Sequence, residues 1–312
     1  MVLLISPHNV VKKDYYVSNF TPNEVNKMLD KHISIYSQGI NVSLALKILQ
    51  TEPFLLTFFG GVNGKHVKNH LHVNKIKFDS VHISKNSYEK INIIDEKLGT
   101  QTVINDYISM ADEKIQNAFF NLVKDNIKRC NLMCFEDRVK DYFSFDILMN
   151  MASEAQKEGI KTVIDVKSNL DLNELEMVKP FMVKINQKAL NLFISDAGPD
   201  EVKNIADKLI ENGTHYVLFD LYDKGVYLYS KSGYAKVESI NFKAENEFYA
   251  ESTDALLAGF LTGLSKGYEE EKSLKLAYAS SLAVLQNGPI ETLNRKQIFD
   301  LRKNTKYKRY GN

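Results

Sequence analysis

The segment from residue 36 to residue 49 reads YSQGINVSLALKIL, a polar loop that runs into an apolar stretch. After Gly39 the apolar residues crowd onto one helical face, so the pattern predicts a helix of about ten residues that begins beside the glycine. Ligands of open α/β sheets bind at the carboxyl ends of strands, often against the N-terminus of a helix. This loop-to-helix junction is therefore the first candidate ligand site.

Outward from this junction, the chain alternates between short apolar strands and amphipathic helices. Helices are predicted at 112–127, 144–158, 200–212, 253–267 and 270–286, and strands at 2–6, 54–59, 132–135, 162–165, 181–185 and 216–220. This rhythm is typical of an α/β fold whose mainly parallel sheet is covered by helices on both faces.

Two stretches, at about 9–36 and 86–108, do not follow this rhythm. Both alternate loosely between polar and apolar residues, which is typical of half-buried strands. We predict that they pair as a small sheet, a lid beside the main body. Because no linker rich in Pro, Gly or Ser divides the chain, residues 1–312 are predicted to form a single domain.

The composition limits the possible partners. The chain has 40 Lys and Arg against 39 Asp and Glu, so its charge gives no reason to expect nucleic acid or an anionic membrane as a partner. No apolar run approaches the roughly 20 residues of a membrane helix, and the basic tail at 303–309 is predicted to be a solvated terminus. Cys130 and Cys134 are predicted to be buried thiols in a protein of the reducing cytoplasm.

A second loop-to-helix junction lies at residues 251–267, which read ESTDALLAGFLTGLSKG. The two junctions together resemble the signatures of the PfkB (ribokinase-like) carbohydrate kinases, usually written GGKGINVS and GAGDSxxAGFLAGLSKG. The spelling GINVS is most similar to the 1-phosphofructokinase and tagatose-6-phosphate kinase branch. The resemblance implies a three-layer α/β/α sandwich with a small β lid. It also implies transfer of the ATP γ-phosphoryl group to a ketohexose phosphate.

The resemblance further implies roles for individual residues, and ATP with Mg²⁺ as the cofactor. Asp254 stands where the family has the aspartate that takes the proton of the sugar hydroxyl. No residue is implied as a metal ligand, because the family's metal-linked glutamate aligns with Ala189. The positions that match sugar-phosphate contacts are Gly39, Asn41 and Lys90, and those that match nucleotide contacts are Lys184, Asn186, Gly225 and Thr253.

Several phosphate-handling positions of the family carry other residues in this chain. The two glycines of the anion-binding turn align with Glu251 and Thr253, a lysine that neutralises phosphate aligns with Gln38, and an early aspartate aligns with Val10. Glycine lets a phosphate approach backbone amides closely, whereas Glu251 adds negative charge where an anionic nucleotide would dock. One anion-hole donor is commonly worth about 10²–10³ in rate, so the sequence predicts kinase activity that is weak or lost.

Some of these residues also have purely structural interpretations. Asp254 is either a general base or a carboxylate placed favourably near a helix N-terminus, and Asn41 is either a sugar ligand or a capping residue. His66, His70 and His72 either bind a metal ion or lie on a solvated helix face. The acidic residues at 136, 137 and 223 form either a rim for a cation or ordinary exposed loop charges.

Three functional classes stay open at this point. They are a sugar-phosphate kinase with unusual loops, a binding protein that keeps ligand affinity without turnover, and an interaction protein that dimerises through its lid. The predicted lid strands carry apolar side chains that either pack against a second copy or close on their own domain: Tyr15, Tyr16, Phe20, Ile91, Ile93 and Ile94.

Overall fold

The chain folds into one large sheet, one small sheet and the helices that cover them. The computed structural model describes residues 1–106, 109–167, 171–195, 197–221, 224–238 and 248–311, apart from the side chains of residues 137 and 138. In this part of the chain ten strands form the large sheet and four form the small one. Within the same residues, no helix is long and apolar enough to cross a membrane.

The strands of the large sheet run from a parallel body to an antiparallel edge, in the order β14-β13-β12-β11-β10-β9-β8-β1-β4-β5. The seven strands from β5 to β11 are parallel neighbours, and β12, β13 and β14 are antiparallel. In chain order these strands are β1 Val2–Ile5, β4 Pro53–Phe59, β5 Lys77–His82, β8 Leu132–Phe135, β9 Lys161–Val166, β10 Met182–Asn186, β11 Tyr216–Asp220, β12 Val226–Ser230, β13 Gly233–Val237 and β14 Tyr307–Tyr310.

Helices cover both faces of this sheet, and the side chains of β1 explain why. Val2 and Leu4 point into one hydrophobic core, whereas Leu3 and Ile5 point into another, because successive strand residues face opposite sides. The predicted α/β/α sandwich is therefore confirmed. The helices are α1 Gln38–Ile48, α2 Gly61–Val73, α3 Glu113–Ile127, α4 Phe145–Lys157, α5 Leu172–Val178, α6 Gln187–Phe193, α7 Pro199–Glu211, α8 Tyr249–Ser265, α9 Glu270–Asn287 and α10 Arg295–Asn304.

The basic tail at 303–309 is solvated as predicted, but it is also ordered. It contributes the end of α10 and then β14, which pairs with β13 at the edge of the large sheet. Its side chains stay largely exposed, so the hydrophobic pattern gives no sign of the backbone pairing. Cys130 and Cys134 are buried as predicted.

The small sheet joins the two stretches that the sequence set apart. It has the order β3-β2-β6-β7, with β2 Val10–Val17, β3 Met28–Tyr36, β6 Tyr88–Asp95 and β7 Thr100–Asn105. β2 and β6 are parallel and place Lys12 directly beside Lys90. The predicted pairing of the two stretches is thus confirmed, although residues 107–108 of the second stretch lie outside the described residues.

The register of the small sheet corrects the proposed apolar lid surface. Tyr15 pairs with Ile93 and Tyr16 pairs with Ile94, so these two pairs point to opposite faces of the sheet. The six apolar side chains named from the sequence therefore do not form one continuous surface.

Small residues of the second signature allow α8 and α9 to pack closely. A Cβ atom at Gly259 would lie 2.6 Å from the Cα of Ala277, and one at Gly263 would lie 2.6 Å from the Cβ of Ser273. Both distances are too short for a real contact, so the glycines of this motif have a packing role.

Candidate active site

The first junction keeps the form that the sequence predicts. Ser37 is extended and α1 begins at Gln38, so the first backbone N–H groups of the helix have no partner within it. A Cβ atom at Gly39 would lie 2.3 Å from the Cβ of Ser6 and 2.8 Å from Cδ1 of Leu55. Gly39 therefore lets the helix start against Ser6, which follows β1, and against Leu55 of β4, which explains this glycine without a ligand.

The second junction differs from the prediction. α8 begins at Tyr249, about one helical turn before the predicted start at residue 253, and the N–H of Ser252 donates to the carbonyl of Phe248 at 2.9 Å. The sequence has no glycine or proline here to delay the helix. The carboxylate of Glu251 accepts the N–H of Ile290 at 3.0 Å, which fixes this first turn to the following segment. The predicted helix start is wrong.

Asp254 lies fully buried inside α8 and is held by two side chains. The amide of Asn41 donates to its Oδ2 at 2.9 Å, and the ammonium of Lys167 forms a close ion pair with its Oδ1. Asn41 comes from the first junction and Lys167 follows β9, so Asp254 connects both signatures to the carboxyl edge of the sheet. Asn41 thus contacts the candidate base and does not cap α1.

A second buried ion pair lies beside the first. Lys184 is fully buried on β10, and its ammonium donates to Oδ1 of Asp165 at 2.8 Å and to the hydroxyl of Thr253 at 2.7 Å. The amide of Gln38 donates to the other oxygen of Asp165 at 2.6 Å, and Lys167 lies 3.9 Å from that same oxygen. The two lysines and two aspartates form one network of alternating charge.

Burial and charge act in opposite directions on these groups. Burial raises the pKa of Asp254 above its ordinary value, while Lys167 and Asn41 work against that shift. Burial alone lowers the pKa of Lys167, but the carboxylates of Asp254 and Asp165 raise it well above its ordinary range. Lys167 therefore stays charged at every physiological pH.

Asp220, at the end of β11, adds a third buried carboxyl to the network. Burial raises its pKa, while Lys184 and a hydrogen bond from Thr253 lower it. Among the described residues its Oδ2 has no hydrogen-bond partner. This atom lies at the carboxyl edge of the sheet, where polar groups face a ligand in folds of this class.

Glu136 is not an exposed loop charge. It is buried at the end of β8, where Ser6 donates to it at 2.7 Å and the N–H of His8 donates at 3.2 Å. Burial raises its pKa to about 8 against the effect of these two donors, so the carboxyl holds a proton at neutral pH. The interpretation of Glu136 as an exposed loop charge is therefore wrong, and the other two members of the proposed acidic rim lie outside the described side chains.

One face of the small sheet brings polar side chains toward α8. Lys12 and Lys90 are register neighbours there, Lys12 pairs with Asp14 at 2.9 Å, and Asn92 donates to Asp14. The Lys12 ammonium opposes the rise in the pKa of Glu251 that burial causes, which indicates that this face is turned toward the second junction. The Oδ1 of buried Asn92 has no partner within the described part of the chain.

The remaining predicted residues lie at the margins of this network. The side chain of Asn186 accepts the N–H of Ala189 at 2.9 Å and so caps α6. Gly225 has φ +97°, the left-handed region that favours glycine, in the turn before β12. His70 contacts Glu291 at 3.5 Å, and among the described residues no set of three His, Cys, Asp or Glu side chains could hold a metal.

Two central residues, Asp165 and Lys167, escaped the sequence analysis. The signal that could have found them is position, because both stand at the carboxyl end of a correctly predicted parallel strand. Their partner Asp254 is 87 positions from Lys167 along the chain, so no local pattern connects them.

Comparison with known proteins gives a consistent picture. The family profile described as "pfkB family carbohydrate kinase" matches residues 38–296. The chain is 22% identical to the 1-phosphofructokinase of Bacillus subtilis (strain 168) over 285 residues, which cover 91% of this chain and 92% of that protein. It is 24% identical to a D-tagatose-1-phosphate kinase of Bacillus licheniformis over 271 residues, or 86% of this chain and 87% of the relative.

Solved structures add the fold. Phosphofructokinase-2 from Escherichia coli in complex with fructose-6-phosphate superposes with a TM-score of 0.78 and 15% identity, covering 97% of this chain and 98% of that one. At this identity the likeness shows the architecture alone.

Proposed function

This chain belongs to the pfkB family of carbohydrate kinases, and from that premise we propose that it binds a ketohexose phosphate but transfers the γ-phosphoryl group of ATP to it slowly or not at all. In this view the half of the pocket formed by α1 and the small sheet still binds the sugar phosphate. The half formed by the start of α8 no longer binds the terminal phosphate of the nucleotide.

The early start of α8 is the observation that carries this proposal. The family turn that binds the transferring phosphoryl group aligns with residues 251–253. Here Ser252 donates its N–H to the carbonyl of Phe248, and Thr253 lies within the regular helix, where its N–H is also bonded to a carbonyl. Backbone donors already engaged in a helix cannot stabilise the charge of a transferring phosphoryl group.

The side chains at this junction do not fit a magnesium-bound triphosphate either. Glu251 places a half-buried carboxylate beside the start of α8, and burial raises its pKa against the donor at Ile290. Ala189, at the position of the family's metal-linked glutamate, is buried in an apolar core. We therefore assign no step of a reaction to Mg²⁺ in this protein.

The sugar half of the pocket supports ligand binding. Asn41 and Asp254 meet at the start of α1, and Lys12 and Lys90 stand side by side on the face of the small sheet turned toward α8. An amide, a carboxylate and two ammonium groups suit the hydroxyls and the phosphate of a sugar phosphate. We propose that Asn41 and Asp254 bind hydroxyls, that Lys90 binds phosphate, and that Gly39 keeps α1 close to both.

Asp254 is placed to accept a proton, but its surroundings slow that step. Both of its oxygens already accept hydrogen bonds, from Asn41 and Lys167, and the carboxylate is fully buried. A sugar hydroxyl reaches it only by displacing or sharing one of these donors, so an existing hydrogen bond must first be broken or weakened.

The test combines binding with turnover. Calorimetry with fructose 1-phosphate, fructose 6-phosphate, tagatose 1-phosphate and tagatose 6-phosphate is expected to detect at least one ligand. Coupled ADP release with the same sugars and ATP–Mg²⁺ is expected to stay at the level of the Asp254→Asn variant. ADP release that is well above this control would overturn the loss of transfer, and no binding by any sugar phosphate would overturn the whole proposal.

We also propose that the small sheet supports a homodimer. Its face opposite the pocket exposes Ile33 by 47% and Ile104 by 53%. Ile91 pairs directly with Ile104, and Lys13 stands between Ile91 and Ile33 in the register of the sheet. Light scattering is expected to give a dimer that Ile104→Lys dissociates. The control is Val103→Lys, a change on the other face that should leave the mass unchanged. A monomeric wild type contradicts this assembly.

A further inference from the structure

Lys167 lies beside the residue that replaces a cation of the first signature. Gln38 stands where the family has a lysine, and its amide donates to Oδ2 of Asp165 at 2.6 Å. The ammonium of Lys167 lies 3.9 Å from that same oxygen. The two side chains therefore meet at one carboxylate, although one comes from the start of α1 and the other follows β9.

We propose that Lys167 supplies the positive charge that position 38 lacks, and that it binds the second phosphoryl group of a ketohexose bisphosphate, beside Asp254 and apart from the phosphate at Lys90. This rests on the proposed sugar-phosphate binding and adds to it a residue that no signature of the family marks in this chain. The positively charged side chain is thus at position 167, after β9, and not at position 38, at the start of α1.

Exposure separates Lys167 from the other lysine of the network. The side chain of Lys167 is 18% exposed, whereas that of Lys184 is 0% exposed and is held between Asp165 and Thr253. A ligand at the carboxyl edge of the sheet therefore has access to part of the Lys167 side chain and none to that of Lys184. Because the carboxylates of Asp254 and Asp165 keep Lys167 charged, its ammonium can donate a charge-assisted hydrogen bond to a phosphate.

The competing interpretation is that Lys167 only neutralises Asp254. Removing Lys167 alone does not distinguish the two, because it leaves Asp254 as an unpaired buried charge, which is strongly destabilising. A comparison of two other variants distinguishes these interpretations. Asp254→Asn keeps Lys167 without its counter-ion, and the double variant Asp254→Asn with Lys167→Gln removes both charges.

The probe is fructose 1,6-bisphosphate, which offers one phosphoryl group to Lys90 and a second to Lys167, with fructose 1-phosphate and fructose 6-phosphate measured beside it in calorimetry. We expect the double variant to bind it at least tenfold more weakly than Asp254→Asn. Adding Gln38→Lys to the double variant places a positive charge at the neighbouring position 38. This triple variant is expected to bind the probe at least fivefold more tightly than the double variant. Lys167→Arg, which keeps the charge with Asp254 in place, is expected to bind within threefold of the wild type.

Equal dissociation constants for Asp254→Asn and the double variant, with thermal midpoints confirming that both are folded, would show that Lys167 is only a counter-ion and overturn the inference. That result leaves the proposed sugar-phosphate binding intact. Failure of every protein to bind, the wild type included, would overturn both proposals together.

Discussion

The two signature junctions begin from the same kind of sequence, a polar loop that enters a helix, but they fold differently. At the first, α1 begins at Gln38, within the motif, and its first N–H groups face the carboxyl edge of the sheet. At the second, α8 begins at Tyr249, before the motif, and the N–H groups of Ser252 and Thr253 lie in helical hydrogen bonds. The comparison teaches that a sequence motif can keep its helix while the turn before it is taken up into the first turn of that helix.

The difference comes from the few residues that precede each helix. Gly39 lets α1 start against Ser6 and Leu55, where a side chain would collide. Residues 249–253 contain no glycine, and Glu251 gains a hydrogen bond to Ile290 when it joins the helix. In the first case close packing sets the helix start, and in the second case nothing opposes extension of the helix backward by about one turn.

The largest loss of stability is expected when the buried ion pair between Lys184 and Asp165, which contacts Thr253 of the second junction, is broken. Lys184→Met leaves Asp165 partly unpaired in the interior, so we expect the free energy of unfolding to fall by about 3–5 kcal/mol in urea titration. Lys203→Met is the control, because its partner Asp207 is exposed and such pairs contribute about 0–1 kcal/mol. Equal losses for both variants would mean that the network at Thr253 is not a structural support.

A smaller loss is expected where the second signature packs. Gly259→Ala forces a Cβ atom to within 2.6 Å of the Cα of Ala277, so we expect about 1–3 kcal/mol of destabilisation from overpacking between α8 and α9. Gly311→Ala, which meets open space, serves as the control. If the two alanine variants unfold at the same temperature, helix packing does not explain the glycine at position 259.

The smallest change in stability is expected at Glu136, which bonds Ser6 beside the first junction, and this change depends on pH. Burial raises the pKa of Glu136 from its ordinary 4.5 to about 8, so in this window the folded protein holds a proton that the unfolded chain has released. The free energy of unfolding therefore decreases as the pH rises through the window. Glu136→Gln is expected to stabilise the protein by about 1–2 kcal/mol at pH 8.5 and to change it little at pH 5.5.

Thermal midpoints at the two pH values measure this difference, with exposed Glu96→Gln as the control. A Glu136→Gln effect that is independent of pH would show that the buried carboxyl is not protonated. Glu136 would then carry a negative charge beside the first junction instead of being neutral.

Much of the fold follows from the sequence because its signals are local. The apolar run of β8 and the periodic pattern of α9 predict their elements directly. β14 was missed because it joins the sheet through its backbone and leaves its side chains exposed. A pattern of side chains cannot reveal a strand that an existing sheet edge creates.

The site was less predictable because its chemistry depends on contacts between distant segments. Asn41 and Asp254 were chosen from the signatures, and the structure brings them into contact. Lys167 and Asp165 belong to no motif, and only the folded sheet places them beside Asp254 and Gln38. The start of α8 depends in the same way on Ile290, a residue from a later segment.

Amide hydrogen exchange at the two junctions tests the central claim most directly. Peptides covering 249–257 and 36–43 are followed by mass spectrometry in the free protein, with ATP–Mg²⁺ and with the sugar phosphates. We expect slow exchange at Ser252–Asp254 that ATP–Mg²⁺ does not change, and protection of the first turn of α1 when a sugar phosphate binds. Fast exchange at Ser252–Asp254 in the free protein that ATP–Mg²⁺ slows would contradict the account, because those amides would then be available to a phosphate.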